Sequence, residues 1–171
     1  MTKAVKSKKA LLVLDMQEVC VGKNPAKIFK YDKALIDKVN TTIASYDTVI
    51  YIRTLLKNNP FYKLSPIRVF DGTKQAELAE NLTRKQNIIF NKYRGNAFSN
   101  PELFKYLQAH NIDTIEIVGV DGAGCVSKTA LGALKYHLKV IINTTAVDTM
   151  FKNRQKRLFR LLAKKGVTFI G

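Results

Sequence analysis

The chain has 171 residues, 46% of them hydrophobic, which predicts one domain with a substantial core. Its formal charge of +16 attracts anionic molecules, yet no RNA-binding signature accompanies it, so specific nucleic-acid binding is not expected. Every apolar run is shorter than the roughly 20 residues that span a bilayer, and two cysteines are too few for a disulfide framework. We therefore expect a cytoplasmic protein without membrane segments, beginning with a flexible basic stretch at residues 1–9.

Apolar runs alternate with amphipathic segments along the chain. The first run, Ala10-Leu11-Leu12-Val13-Leu14, lacks polar alternation, which is typical of a parallel strand buried on both faces. Strands are predicted at residues 10–14, 48–53, 87–90, 114–118, 139–142 and 167–170. Helices are predicted at residues 32–43, 75–81, 101–109, 125–137 and 153–164, and the remainder as loops. This alternation predicts a single α/β domain over residues 1–171, built on a parallel sheet.

Three chemically reactive residues each follow a predicted strand. Asp15 follows the first strand, Lys92 the third and Cys125 the fourth. In an open α/β sheet the ligand crevice lies at this carboxyl edge, where the strand order reverses. For the order 3-2-1-4-5-6, the reversal falls between the strands that precede Asp15 and Cys125. Each residue alone has a structural explanation, as a turn residue, a surface charge or a core cysteine, but their convergence favours a catalytic site.

Cys125 ends a glycine-rich turn, Gly119-Val120-Asp121-Gly122-Ala123-Gly124, and begins a predicted helix. The helix N-terminus favours a thiolate, and the absent side chains of Gly122 and Gly124 leave room for a substrate carbonyl. The amides of the turn can then bind the carbonyl oxygen as an oxyanion hole. A buried structural cysteine after a tight turn is the alternative for this stretch alone.

The three residues together suit acyl transfer. A free thiol has a pKa of about 8.5, so a neighbouring carboxylate has to take its proton, and a lysine ammonium can hold that carboxylate. The thiolate attacks a carbonyl, the proton passes to the departing amine, and water then hydrolyses the thioester. The chain has only two histidines and no cysteine cluster, so a zinc site is not expected. Acyl transfer by these three residues needs neither a histidine nor a metal ion.

These stretches resemble the isochorismatase-like cysteine hydrolases, which include nicotinamidases and N-carbamoylsarcosine amidohydrolases. The resemblance spans nearly the whole chain. It rests on Leu14-Asp15-Met16-Gln17, on Lys92 with Ala97-Phe98, and on Gly119-Val120 with Cys125-Val126 and Thr129-Ala130. It implies a three-layer α/β/α fold with a doubly wound, mainly parallel six-stranded sheet, a homo-oligomer, and an Asp15, Lys92 and Cys125 catalytic triad.

The resemblance also implies a cis peptide bond between Val120 and Asp121. The backbone N–H groups of Asp121 and Cys125 would then form the oxyanion hole, and the Asp121 side chain is expected to cap the following helix. Nicotinamidases carry an Asp-x-His metal motif after the second strand, where this chain has Thr54 and Leu56. We therefore expect no metal and no cofactor.

Five further residues are candidates for binding a small-molecule substrate. Gln17 either bonds near the catalytic carboxylate or only ends the strand, and Cys20 either lines the pocket or pairs with the second cysteine. Tyr93 and Phe98 are candidate pocket walls, although core packing explains Phe98 equally well. Arg53 suits a substrate carboxylate, as does Arg94, or both are exposed cations on a basic protein.

The sequence therefore predicts a metal-independent cysteine hydrolase that cleaves a C–N bond of a small amide or carbamoyl compound. The basic surface is compatible with an anionic substrate. Two alternatives stay open at this point. One is an isochorismatase-type enzyme that cleaves a vinyl ether without a cysteine nucleophile. The other is a binding or regulatory protein that uses the basic surface.

Overall fold

A computed structural model describes residues 8–171, so residues 1–7 of the predicted flexible segment lie outside the described residues. Lys8 and Lys9 instead begin the first strand. The sheet has six strands in the order β3-β2-β1-β4-β5-β6, and every neighbouring pair is parallel. The strands are β1 (Lys8–Leu14), β2 (Val49–Thr54), β3 (Ile89–Lys92), β4 (Ile112–Gly119), β5 (Lys139–Val147) and β6 (Thr168–Ile170). The predicted doubly wound sheet is confirmed.

Helices cover both faces of this sheet. They are α1 (Glu18–Val21), α2 (Leu35–Ala44), α3 (Pro101–Ala109), α4 (Ser127–Leu134) and α5 (Lys152–Lys164). Alternate residues of β1 enter different cores, as expected for a strand buried on both sides. Leu11 packs in the core beneath α2, whereas Leu12 packs in the core that contains residues of α3, α4 and α5. The predicted three-layer arrangement is therefore confirmed.

One local prediction is wrong, and a second is right only in part. Residues 75–81 do not form a helix, because only the 3₁₀ turn Lys74–Ala76 is helical and the chain then runs beside α1. There Glu18 N donates to Glu77 O at 2.9 Å and Ala79 N donates to Met16 O at 2.9 Å. These bonds to a distant segment replace the ones a helix would make. The predicted helix 125–137 is present as the shorter α4, and Cys125 lies before it in a π-helical turn, Gly122–Val126.

The carboxyl ends of β1 and β4 are held together by a close backbone approach. Gly119 has a φ of +108°, and a Cβ there would lie 2.1 Å from the carbonyl oxygen of Leu14. The same carbonyl accepts a hydrogen bond from Val120 N at 3.1 Å. Asp15 follows with a φ of +54°, a left-handed conformation that is uncommon outside glycine and concentrates at functional sites. Gly119 thus brings Asp15 beside the turn that carries Cys125.

We predict that Gly119→Ala lowers the free energy of unfolding by at least about 2 kcal/mol, because the added Cβ meets backbone and the φ is strained. Urea denaturation followed by circular dichroism measures the change. Gly72→Ala is the matched control, because Gly72 also has a positive φ, +80°, with nothing within 4 Å of a Cβ. Equal destabilisation by the two substitutions would contradict a specific role for the Leu14 contact.

Candidate active site

The three predicted catalytic residues meet at the carboxyl edge of the sheet. Lys92 Nζ, at the end of β3, donates to Asp15 Oδ2 at 2.9 Å and lies 3.2 Å from Cys125 Sγ. The Lys92 side chain is fully buried and Asp15 is 4% exposed. An ammonium and a carboxylate in this setting stabilise each other, because an unpaired buried charge is costly. The arrangement places a thiol within reach of both a proton acceptor and a cation.

Thr54, at the end of β2, completes this network. Its hydroxyl donates to Asp15 Oδ1 at 2.8 Å and accepts a hydrogen bond from Lys92 Nζ. From the sequence, Thr54 stood out only as a departure from a metal motif, and its contact with Asp15 was not predicted. The available signal was its position, because a residue that ends the strand beside β1 has to lie next to Asp15.

Gln17 supports the site without touching the triad. Its side-chain amide donates to the carbonyl oxygens of Thr54 at 3.0 Å and Ala76 at 2.8 Å. Its side-chain oxygen accepts from Thr54 N at 2.8 Å. Gln17 therefore fastens the end of β2 to the start of α1. It also lines the cavity, but it has no hydrogen bond to Asp15 among the described contacts.

The charges around Cys125 favour the neutral thiol at rest. Burial is the largest cause and the negative charge of Asp15 the next, and together they outweigh Lys92, so the pKa of Cys125 is raised to about 12. The expectation that the helix N-terminus favours a resting thiolate is therefore not met. For Lys92, burial lowers the pKa, but Asp15 and Cys125 outweigh burial and the net shift is upward. The site holds an ammonium, a carboxylate and a protonated thiol.

A cavity of about 360 Å³ opens onto this cluster. Asp15, Thr54 and Cys125 lie along its polar part, and Cys20 also lines it. Both cysteines are free, which places Cys20 in the wall and gives no disulfide with Cys125. Most other walls are apolar and come from the loops after β1, β2 and β5: Val19, Phe29, Leu56, Ile67, Val69, Met150 and Phe151.

Three predicted substrate-binding residues do not line this cavity. Arg53 turns towards the neighbouring strand, where its guanidinium donates to Asn91 Oδ1 at 3.0 Å and to Glu77 Oε1 at 3.1 Å. Tyr93 is 54% exposed and lines a different cleft. Phe98 is 5% exposed and packs in the core beside α4. The prediction that Arg53, Tyr93 and Phe98 line the pocket is therefore wrong for the cavity beside Cys125.

Two cations at the cavity were not predicted from the sequence. Lys128, in the first turn of α4, and Arg154, in the first turn of α5, both line it and are both exposed. Neither forms an ion pair with an acidic residue within residues 8–171. Among 29 lysine and arginine residues, nothing in the sequence distinguished these two.

The glycine-rich turn has the backbone form that the resemblance implied. The Val120–Asp121 peptide bond is cis, and the Asp121 carboxylate caps the π-helical turn by accepting from Ala123 N at 2.8 Å. Gly124 lines the cavity as expected. Gly122 does not line the cavity. It packs against α5, where a Cβ would meet the side-chain amide nitrogen of Gln155 at 2.4 Å.

The residues at this edge do not fit a metal ion. Thr54 is occupied by Asp15 and Lys92, and Leu56 offers an apolar side chain. Within residues 8–171 no group of three or more histidine, cysteine or acidic side chains is placed to hold a metal. The same residues contain no helix long and apolar enough to cross a membrane.

A family model for the isochorismatase domain matches residues 9–171. The chain therefore belongs to the isochorismatase family of hydrolases. No curated protein sequence matches it significantly.

Solved structures share its fold. The pyrazinamidase of Pyrococcus horikoshii in complex with zinc is 23% identical, with a TM-score of 0.82 over 95% of this chain and 98% of that one. N-carbamoylsarcosine amidase from Thermoplasma acidophilum is 23% identical, with a TM-score of 0.76 over 95% of each chain. PnC1 from L. infantum in complex with nicotinate is 18% identical, with a TM-score of 0.85 over 96% of this chain and 92% of that one.

We predict that Asp15→Asn speeds alkylation of Cys125 by iodoacetamide at pH 8 to 10. Removing the carboxylate charge lowers the thiol pKa from about 12, and each unit of decrease raises the thiolate fraction about tenfold. Peptide mass spectrometry over a pH series measures the rate at Cys125. Asp37→Asn, at an exposed position on α2, is the control. A wild-type rate that reaches a plateau below pH 10 would contradict the raised pKa.

Proposed function

We propose that this protein is a cysteine hydrolase that cleaves the C–N bond of a small amide or carbamoyl compound without a metal ion. The observation that carries the proposal is the contact of Lys92 Nζ with both Asp15 Oδ2, at 2.9 Å, and Cys125 Sγ, at 3.2 Å. The cavity that opens onto this contact supports it. Further support comes from the fold shared with a pyrazinamidase and an N-carbamoylsarcosine amidase.

In the first half of the reaction, Asp15 takes the proton of the Cys125 thiol as the sulfur attacks the substrate carbonyl carbon. The carbonyl oxygen becomes an oxyanion, which the backbone N–H groups of Asp121 and Cys125 bind. Collapse of this tetrahedral intermediate breaks the C–N bond, and Asp15 returns the proton to the departing nitrogen. The products of this half are ammonia or an amine and a thioester on Cys125.

In the second half, water replaces the departed nitrogen. Asp15 takes a proton from the water, whose oxygen attacks the thioester carbon, and the same amides bind the oxyanion. The C–S bond then breaks, the proton returns to sulfur, and the carboxylic acid leaves. Throughout, Lys92 and Thr54 hold the two oxygens of Asp15, so that the carboxylate points at the thiol.

The cavity also favours a substrate that carries an anionic group. Lys128 and Arg154 supply positive charge at one side of the cavity, and neither is neutralised by an acidic partner within the described residues. An arginine guanidinium binds a carboxylate through two parallel hydrogen bonds. The apolar walls then surround the body of the substrate. These two cations replace Arg53 and Arg94 as the residues proposed to bind it.

We predict that Cys125→Ala lowers turnover at least about a thousandfold, because the nucleophile is lost. Ammonia release is measured over a panel that includes nicotinamide, pyrazinamide, N-carbamoylsarcosine and amides bearing a carboxylate. Cys20→Ala is the matched cysteine control, and it should lose no more than about tenfold, as expected for a residue of the wall. Full hydrolytic activity in Cys125→Ala would contradict the cysteine mechanism and favour a reaction that needs no nucleophilic thiol.

We predict that Arg154→Gln raises KM about tenfold or more for amides that bear a carboxylate, because a charge-assisted contact is worth about 1.5 kcal/mol or more. The KM of neutral amides should change by less than about threefold. Arg94→Gln is the control, because Arg94 is exposed and does not line the cavity. Equal changes for charged and neutral amides would contradict anion recognition by Arg154.

A further inference from the structure

The side chain of Asp121 is more fully bonded than a helix cap requires. Its Oδ1 accepts hydrogen bonds from Ala123 N at 2.8 Å and from the Thr149 hydroxyl at 2.6 Å. Its Oδ2 accepts from Met150 N at 3.0 Å and from the Tyr31 hydroxyl at 3.3 Å. A carboxylate offers about four acceptor positions, so these four donors saturate it. The Asp121 carboxylate is therefore committed to the protein rather than to a substrate.

The four donors come from three separate segments that surround the cavity. Ala123 belongs to the π-helical turn, Thr149 and Met150 belong to the loop between β5 and α5, and Tyr31 belongs to the loop between α1 and α2. A capping residue needs only the first of these contacts. The other three join the Cys125 turn to two loops that form the walls.

The Asp121 residue has two parts with different tasks. Its backbone N–H is one of the two proposed oxyanion donors, and such a donor has to lie about 2.7–3.1 Å from the oxyanion. Its carboxylate is held by hydrogen bonds to the loop between β5 and α5 and to Tyr31 in the loop between α1 and α2. Rotation of the peptide plane away from the oxyanion would therefore have to break the bonds to the neighbouring loops.

Tyr31 extends this coupling to the substrate cavity. Its ring lines the cavity and stacks on Phe29, with ring centroids 5.8 Å apart. Burial raises the pKa of Tyr31, and the charge of Asp121 raises it further, so the phenol stays protonated and keeps donating to the carboxylate. The position of this wall thus depends on the same carboxylate that holds the turn.

We propose that the Asp121 carboxylate is a positioning residue, which fixes the oxyanion-binding turn and the Tyr31 wall of the cavity as one unit. The proposal rests on the proposed hydrolase function. Asp121 acts through its own backbone N–H and through Tyr31, and its carboxylate does not touch the reacting atoms. Binding of a substrate against Tyr31 then stabilises the turn that receives the oxyanion.

Asp121→Asn tests this proposal, because the substitution keeps the size of the side chain but turns an NH₂ group towards at least one of the existing donors. We expect kcat per alkylatable Cys125 to fall about tenfold or more, since an oxyanion donor acts in the transition state, while KM changes less than about threefold. Alkylation of Cys125 by iodoacetamide should stay within about twofold of the wild type, because the nucleophile itself is intact. A purely structural role would lower both rates together.

Glu116→Gln is the matched control. Glu116 is also a buried carboxylate with several donors, among them Lys9 Nζ at 2.9 Å and Asn143 Nδ2 at 3.1 Å, but it does not line the cavity. Its kcat per alkylatable Cys125 should stay close to that of the wild type. An unchanged kcat in Asp121→Asn, or an equal loss in Glu116→Gln, would overturn the proposal.

Hydrogen exchange provides a readout that needs no substrate. Asp121→Asn should speed amide exchange both in residues 22–34 and in residues 119–126, because the carboxylate joins them, and faster exchange in only one segment would overturn the coupling. If Asp121→Asn does not fold, Tyr31→Phe removes the donor from the loop between α1 and α2 and should show the same joint change on a smaller scale. Wild-type protein that hydrolyses no amide would instead contradict the proposed function, while exchange still tests the coupling.

Discussion

The buried ammonium of Lys92 is the interaction on which the site depends. Its side chain has no exposure, and Asp15 is its acidic partner at 2.9 Å among the described residues. Removing one member of a buried ion pair costs about 3–5 kcal/mol, because the other charge is left unpaired in a poorly solvated place. The same pair holds the proton acceptor of the proposed reaction. A substitution of either Asp15 or Lys92 alone is therefore expected to lower both the stability of the protein and the activity of the proposed site.

The strand order explains why a lysine and a threonine are needed with that carboxylate. Lys92 ends the edge strand β3, whereas Asp15 follows β1, and β2 lies between them. Neighbouring strands are about 4.8 Å apart, so a cation from β3 has to reach across the end of β2. A long, unbranched side chain makes that crossing, and the short Thr54 side chain on β2 leaves it room and bonds both partners. Thr54 occupies the position at which nicotinamidases have the aspartate of their Asp-x-His metal motif.

Much of this arrangement was predictable, because buried parallel strands appear in the sequence as unbroken apolar runs and their carboxyl ends meet at one edge. For this reason the close approach of Asp15, Lys92 and Cys125 could be predicted. Contacts of residues whose partners lie far away in sequence could not. Arg53 is held by Glu77 and by Asn91 of the neighbouring strand, and residues 75–81 bond to α1 instead of forming a helix. The position of Arg154 at the cavity depends on where α5 packs, which the sequence does not show.

A protonated resting thiol changes how the site has to be understood. A cysteine activated in advance as a thiolate is open to oxidation and to alkylation by any small electrophile. Here burial and Asp15 raise the pKa of Cys125, so in the proposed reaction the proton passes to the carboxylate during attack. In that mechanism the carboxylate that opposes a resting thiolate is also the proton acceptor of the attack. Because the proposed reaction moves negative charge from Asp15 through sulfur to the substrate oxygen, it depends on a fixed oxyanion hole more than on a reactive thiolate.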